Sequence, residues 1–500
     1  MKVHVLSSPF LVSMLAILLE TPCAWAQPIT AVLRLKENPN YKLASLAQNV
    51  RLAQAMGVPF HYDPSEIREL SGPTSQDYQS LITALKRAGL SILNESPTHL
   101  WITVRADSEI FDRLSHFSMI AAITGLSTSS THPRTSNYLA TSIPALSPAG
   151  VSPATIKTAY GFDPIYQAGF TGQGQDVAVA TYFGFKKENV DHFFETLGMP
   201  TSPTVDLVSF NGVASYDEKS ASETELDTEF VGMIAPGANI HVFASSTNDD
   251  LGELQMFTAI LDDNRSKVVS YSWGSCETDL APAHKIEMDA VFERAIAQGV
   301  NILVASGDHG SDGCLNGHMQ AHWPASHPDV VAVGGTTFTL DSQGALNETA
   351  WSGCGAMSGS GGGLSSLYDL PAWQTLPGMP YTKRAFPDVA FNANVGSGQS
   401  FYGTQNGAQG WMTVGGTSMA TPQWAGFMAL VGEARSLQGK PTLGYLNPII
   451  YGMSTDLRAA TFHDVTSGNN CGYNAGPGWD AVTGWGSMVA DMLLIVLANH

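Results

Sequence analysis

The stretch Gly415-Gly-Thr-Ser-Met-Ala-Thr-Pro-Gln-Trp-Ala-Gly426 places Ser418 where a glycine pair gives way to a run of small residues. A serine that opens a helix stands among amide groups with no partner inside that helix, and such amides can face charge developing on a bound carbonyl oxygen. Ser418 is therefore a candidate nucleophile, set against the commoner role of a serine there as a simple helix cap. A nucleophilic serine needs a group to take its proton. The segment Ser222-Glu-Thr-Glu-Leu-Asp-Thr-Glu-Phe-Val-Gly-Met-Ile-Ala-Pro236 reads as a helix opened by Ser222 and stopped before Pro236. With Glu223 at zero and about 100° per residue, Leu226, Phe230, Val231 and Ile234 fall near about 300°, 340°, 80° and 20°. Asp227, at about 40°, shares that apolar face, while Glu225 and Glu229 are expected to point to solvent. Carboxylates seldom occupy a buried face without a task or a partner, so Glu223 and Asp227 are candidates for proton transfer. The turn Ala305-Ser-Gly-Asp308-His-Gly310 follows an apolar strand and, taken alone, reads simply as a turn.

A second constellation closes the chain: Asp464-Val-Thr-Ser-Gly468, then Gly476-Pro-Gly-Trp-Asp480-Ala-Val-Thr-Gly-Trp-Gly486. Two carboxylates on a glycine-rich loop, with backbone carbonyls left open, supply the all-oxygen cage that calcium prefers. The plainer alternative is a solvated acidic loop.

These residues need a scaffold. Short apolar runs at Asp176–Tyr182, Ile240–Ala244, Lys267–Ser272, Val300–Ala305 and Val330–Val333 suit central parallel strands. Helical segments lie between several of them, notably Lys285–Gln298, which argues for an α/β fold with a doubly covered parallel sheet and ligands outside the strand C-termini. Ahead of it, Ile29–Leu35 and His99–Arg105 read as strands, and Ser75–Ala88 and Ser108–Phe117 as helices of a small α/β domain. Between the two, Ser127-Thr-Ser-Ser-Thr-His-Pro and the prolines up to Pro153 mark a linker.

Charge follows the same division. Up to position 130 there are 10 basic and 10 acidic residues; the remaining 14 and 34 give the later part the whole net charge of −20. That excess argues against nucleic acid or an anionic membrane as partner. Only 14% of the 500 residues are charged while 44% are hydrophobic, which suits a largely buried extracellular protein. Export is also expected from Lys2 and His4 ahead of Phe10-Leu-Val-Ser-Met-Leu-Ala-Ile-Leu-Leu19 and Ala24-Trp-Ala26, a signal-peptide pattern too short to span a bilayer. Cys23 would leave with that segment. Cys276, Cys314, Cys354 and Cys471 remain, an even number that reads as two disulfides with three possible connectivities. Asn94-Glu-Ser96 and Asn347-Glu-Thr349 are glycosylation sequons, meaningful in a host that glycosylates.

The octet Gly415-Gly-Thr-Ser418-x-x-x-Pro422 resembles the nucleophile helix of subtilisin-fold serine peptidases. Yet Val177-Ala-Val-Ala-Thr-Tyr-Phe-Gly184 lacks the aspartate that family carries, and none of the fourteen histidines stands in a His-Gly-Thr-His context. Glu223-x-x-x-Asp227 together with the serine octet, Ser-Gly-Asp308, and His322-Trp-Pro-Ala-Ser-His-Pro-Asp-Val with Val333-Gly-Gly-Thr336 is similar instead to the sedolisins, the serine-carboxyl peptidases.

The resemblance implies a subtilisin-like α/β fold preceded by a ferredoxin-like pro-domain: signal peptide 1–26, activation domain 27–125, linker with the maturation site 126–152, and peptidase domain 153–500. It implies Ser418 as nucleophile, Glu223 as base, Asp227 behind it, and a protonated Asp308 stabilising the oxyanion at acidic pH. One calcium ion would be held by the side chains of Asp464 and Asp480 and the carbonyls of Val465, Gly476 and Gly478. Protein or peptide substrates, the pro-domain as intramolecular inhibitor, and a secreted or periplasmic location complete the expectation, with no nucleic acid partner and no membrane once the signal is removed. The disulfides are expected as Cys314–Cys471, tying the Asp308 turn to the calcium loop, and Cys276–Cys354. Two other readings share these residues: a calcium-stabilised binding protein on a decayed peptidase fold, and an esterase or acyltransferase using the same triad.

Overall fold

The computed structural model describes residues 28–126, 133–136, 139–140, 145–198, 201–353, 358–377 and 379–500. The expected signal peptide, much of the linker and Cys354 lie outside the described residues. No helix among the described residues is long and apolar enough to cross a membrane.

Strands β1 (Ile29–Leu35), β2 (Ser91–Glu95), β3 (Trp101–Ala106) and β4 (Ile120–Thr124) form an antiparallel sheet in the order β2-β3-β1-β4. Alternation along β1 splits it between two cores. Ala31, Leu33 and Leu35 pack on Tyr78, Leu81, Ile82 and Leu85 of helix α2 (Ser75–Arg87), which Thr74 caps through the Asp77 amide. Val32 turns the other way, joining Leu43 and Leu46 of helix α1 (Leu43–Ala55) in a cluster with Phe257 and Phe292 of the larger part. The helix expected over 108–117 is one α turn, Ser108–Phe111, running into a 3-10 segment, Asp112–His116. Two short pieces of the linker are strands, β5 (Thr135–Ser136) and β6 (Leu139–Ala140).

The larger part is built on an eight-stranded sheet of β7 (Asp176–Thr181), β8 (Thr204–Val208), β9 (Asn239–Ala244), β10 (Val268–Tyr271), β12 (Asn301–Ala305), β13 (Val331–Leu340), β14 (Leu346–Ala350) and β15 (Val389–Asn392). Its order is β14-β13-β12-β10-β7-β9-β8, with β15 alongside β13, and only the β13–β14 pairing is antiparallel. Short strand β11 (Trp273–Cys276) leaves the end of β10. Both faces are covered, which is why the central strands are apolar throughout. Val177 and Val179 face helices α3 (Lys187–Leu197), α4 (Glu218–Ile234) and α7 (Thr417–Leu437). Ala178 and Ala180 face helices α5 (Asp250–Asp263) and α6 (Pro282–Ala297). Hairpin β16 (Gln399–Gln405) and β17 (Ala408–Gly415) leads directly into α7.

Two expectations about α4 are corrected. The helix starts a turn earlier than Ser222, because Asp217 caps it by accepting from the Ser220 amide. Glu225 and Glu229 do not face solvent: both are buried. A helical wheel assumes one buried face, but α4 lies between the sheet and an outer layer made by α3 and the β16 hairpin. Glu225 Oε1 accepts from the Lys186 amide (3.1 Å) and Asn189 Nδ2 (2.8 Å), and Glu229 Oε2 from the Tyr402 amide (2.9 Å).

The disulfide expectation is corrected too. Cys276 bonds Cys314, which excludes both Cys314–Cys471 and Cys276–Cys354. The cause is local pairing: Cys276 at the end of β11 sits opposite His322, and the Glu277 amide donates to the Ala321 carbonyl. The Gly313 amide in turn donates to the Gln320 carbonyl, so the loop after Asp308 folds Cys314 back onto β11. Cys471 is also in a disulfide.

Candidate active site

Ser418 is the second residue of α7. The turn before it needs glycine: Gly416 has φ 115°, and a Cβ on Gly415 would stand 2.4 Å from the Val395 amide nitrogen. Ser418 is fully buried, and its hydroxyl donates to the Ser272 carbonyl at 3.4 Å. Ser272, at the junction of β10 and β11, uses its own hydroxyl to donate to Asp227 Oδ1 at 2.7 Å. One residue thus touches both the serine and the acidic helix. Sequence reasoning missed it because it lay at the end of an unremarkable apolar run.

Helix α4 crosses α7 closely. A Cβ on Gly426 would lie 2.8 Å from the Val231 carbonyl and from Ile234 Cβ, so glycine permits the approach. Glu223 and Asp227, one turn apart, are fully buried there. Among the described residues, neither Glu223 oxygen and not Asp227 Oδ2 has a hydrogen-bond partner. Burial raises the Glu223 carboxyl well above the ordinary glutamate range and Asp227 and Asp308 add to this; the Ser418 and Ser272 hydroxyls oppose it only weakly, because they are engaged with the Ser272 carbonyl and Asp227. Burial raises Asp227 as well, against the Ser272 hydrogen bond. Placed one helical turn apart in a dry site, the two carboxyls each disfavour a second negative charge.

Asp308 follows β12. Its Oδ1 accepts from the Thr417 amide (2.8 Å) and the Thr417 hydroxyl (2.9 Å), which places it beside the nucleophile turn. Burial pushes it up to about 7, against the lowering effect of those two bonds. Its buried Oδ2 has no partner among the described residues, so that is where a proton resides when the group is neutral. The arrangement is a hydroxyl at a helix N-terminus, a buried carboxyl pair, and a carboxylic acid able to donate.

Histidine does not enter it. Among the described residues none bonds Ser418, and the buried His322, near Gly274 and Gly307, is pushed down to about 3 by burial and by His309.

The cleft beside Ser418 is lined by the linker. Strand β5 pairs antiparallel with Trp273–Gly274, directly after Ser272, and β6 pairs antiparallel with Val414–Gly415, directly before the nucleophile turn.

At the C-terminal loop, Asp464, Gly478 and Asp480 line one cavity with Tyr381 and Trp479. Asp464 Oδ2 accepts from the Gly478 amide (2.8 Å) and Asp480 Oδ2 from the Gly476 amide (3.0 Å), which folds the loop around the two acids. The carbonyls of Val465, Gly476 and Gly478 accept no hydrogen bond among the described residues. Two carboxylates and three open carbonyls fit a hard cation that takes oxygen ligands. No group of three or more His, Cys, Asp or Glu side chains suited to a metal occurs among the described residues, so any such site rests on backbone oxygens.

The subtilase family model matches residues 212–486, more than half of the chain. Kumamolisin of Bacillus sp. (strain MN-32) is 36% identical over 372 residues, covering 70% of this chain and 64% of its own length. Sedolisin of Pseudomonas sp. (strain 101) is 33% identical over 365 residues, covering 68% and 61%. The chain therefore spans somewhat under two thirds of these curated relatives. The solved structure of Pseudomonas sedolisin, a serine-carboxyl proteinase complexed with two molecules of pseudo-iodotyrostatin, aligns with a TM-score of 0.62 at 31% identity, over 70% of this chain and 98% of that one. The similarity in sequence and in fold shows that the chain belongs to the sedolisin family within the wider subtilase family.

Proposed function

We propose that this protein is a secreted serine-carboxyl peptidase that hydrolyses peptide bonds at acidic pH. The observation that carries the reading is the set of buried carboxyl oxygens of Glu223, Asp227 and Asp308, without partners among the described residues, on the elements that meet at Ser418. Burying such groups without partners is costly, and carboxyls perturbed in this way cluster at functional sites.

Ser418 Oγ attacks the peptide carbonyl carbon and Glu223 takes its proton. Asp227, held by Ser272 and one helical turn from Glu223, polarises that base. The carbonyl oxygen becomes an oxyanion and accepts a hydrogen bond from protonated Asp308. Glu223 then returns the proton to the leaving amine, an acyl-enzyme forms, and water releases it by the same steps in reverse order. Acid is required because Asp308 donates only while neutral.

Residues 27–125 act as an activation domain, 126–152 as the linker cut during maturation, and 153–500 as the peptidase. Support comes from the pairing of β5 and β6 with the walls of the cleft, where a substrate would otherwise lie. Calcium held by Asp464, Asp480 and the carbonyls of Val465, Gly476 and Gly478 would supply charge that knits the loop together, remote from the chemistry. The test is hydrolysis of matched peptide and ester substrates at acidic pH by the activated enzyme and by Ser418→Ala. Peptide cleavage lost in Ser418→Ala supports the reading; ester cleavage alone, or neither, rejects it.

A further inference from the structure

Arg134 belongs to the linker, yet only 3% of it is exposed. Its backbone is gripped from one side by Asn248, whose side chain accepts from the Arg134 amide (2.8 Å) and donates to the Arg134 carbonyl (2.9 Å). From the other side the next two residues, Thr135 and Ser136, lie opposite Gly274 and Trp273. The guanidinium enters a pocket of the peptidase part. Nη1 donates to Asp250 Oδ1 (2.7 Å) and Nη2 to Glu253 Oε2 (2.6 Å). His284 Nε2 stands 2.9 Å from Nη2 and 2.7 Å from the same Glu253 oxygen. Glu253 Oε1 accepts from the Tyr271 hydroxyl (2.8 Å), which meets the Tyr182 hydroxyl (2.7 Å). Glu253 is fully buried; burial alone would raise it, but Arg134 and His284 hold it well below the ordinary carboxylate range.

Among the described residues, the side chains that meet the guanidinium, Asp250, Glu253 and His284, all belong to the peptidase part, while the cation belongs to the linker cut during maturation. Once the linker leaves, a buried glutamate loses its guanidinium, in a cleft with Asn248 and β11 ready to hold another extended chain. We infer that this pocket, resting on the peptidase reading above, is a substrate subsite selective for arginine. With Gly274 and Trp273 opposite residues 135 and 136, a substrate in that register has its next residue opposite Ser272, beside the Ser418 hydroxyl. The arginine is then the fourth residue on the amino-terminal side of the scissile bond. Two carboxylates placed at Nη1 and Nη2 match the planar fork of arginine better than the single point of a lysine ammonium.

The test uses the full chain activated by acidification and a set of fluorogenic peptides that differ only at that fourth position. Arginine is expected to exceed leucine in kcat/KM by more than about tenfold, with lysine between them, because a polar pocket left unpaired rejects an apolar side chain. In Glu253→Gln the arginine-to-leucine ratio is expected to collapse toward one; if that variant does not fold, Asp250→Asn, at the pocket mouth, is expected to lower the ratio. An active enzyme with a ratio near one, or a ratio unchanged in these variants, overturns the subsite while leaving the peptidase reading intact. Hydrolysis of none of the peptides overturns both.

Discussion

Replacing Asp308 by asparagine separates its charge from its shape. Asparagine keeps an oxygen for the two Thr417 bonds and offers an amide donor in place of the proton on Oδ2, but it does not titrate. In the folded chain the Asp308 carboxyl is raised to about 7, whereas an unfolded aspartate titrates near about 3.9. The native state therefore holds a proton that the unfolded state releases, so stability falls as pH rises between those values. At about 1.36 kcal/mol per pH unit, the loss from this group alone is about 4 kcal/mol. Urea unfolding at pH 4 and pH 7, in a Ser418→Ala background to prevent self-digestion, measures it. Asp308→Asn should lose less stability than its parent over that interval by an amount of this order. In active enzyme the same change should move or remove the fall in turnover as pH rises toward neutral, while Asp308→Ala should cost about 10²–10³ in turnover at acidic pH. Parallel loss of stability in the parent and Asp308→Asn, or an unaltered alkaline limb, would refute the reasoning.

Glu225→Ala and Glu229→Ala strip acceptors from buried amides, so each should lower unfolding stability by about 1–3 kcal/mol, read by urea unfolding; a change below a few tenths would mean water replaces them. Peptide mapping without reduction should recover Cys276 joined to Cys314, and a Cys314–Cys471 peptide would contradict the fold of that loop. Chelation at neutral pH should lower the melting temperature, and Asp480→Ala should do so without calcium removal, before any effect on turnover. N-terminal sequencing of active enzyme should find the chain beginning between about residues 126 and 152, the stretch whose Ser/Thr/Pro composition marks a linker; activity from chains that still begin at Gln27 would oppose a removable activation domain.

The central strands were legible because a sheet covered on both faces writes itself as apolar runs, and β7, β9, β10 and β12 fall where those runs lie. Ser418 and Asp308 were visible as turns at the ends of such elements, and the structure brings them together through Thr417. What local pattern could not show was layering. The outer faces of α4 that carry Glu225 and Glu229 are covered by α3 and β16, residues remote in sequence, so the wheel assigned them to solvent. The disulfide failed for the same reason: a pairing argued from neighbouring functions ignored the fold-back of β11 onto His322–Trp323. Ser272 and the Arg134 pocket also depend on contacts between distant segments, and nothing adjacent in the chain announces them.

The central claim is that a glutamate, not a histidine, takes the serine proton. Measurement of kcat/KM for a peptide substrate at acidic pH in Glu223→Gln, an almost isosteric change that removes only the base, tests it most directly. The account predicts a loss of about 10²–10⁴, the usual worth of a general base, with His322→Ala showing no such loss in correctly folded protein. Activity within a few-fold of the parent in Glu223→Gln, together with an inactive but folded His322→Ala, would contradict it.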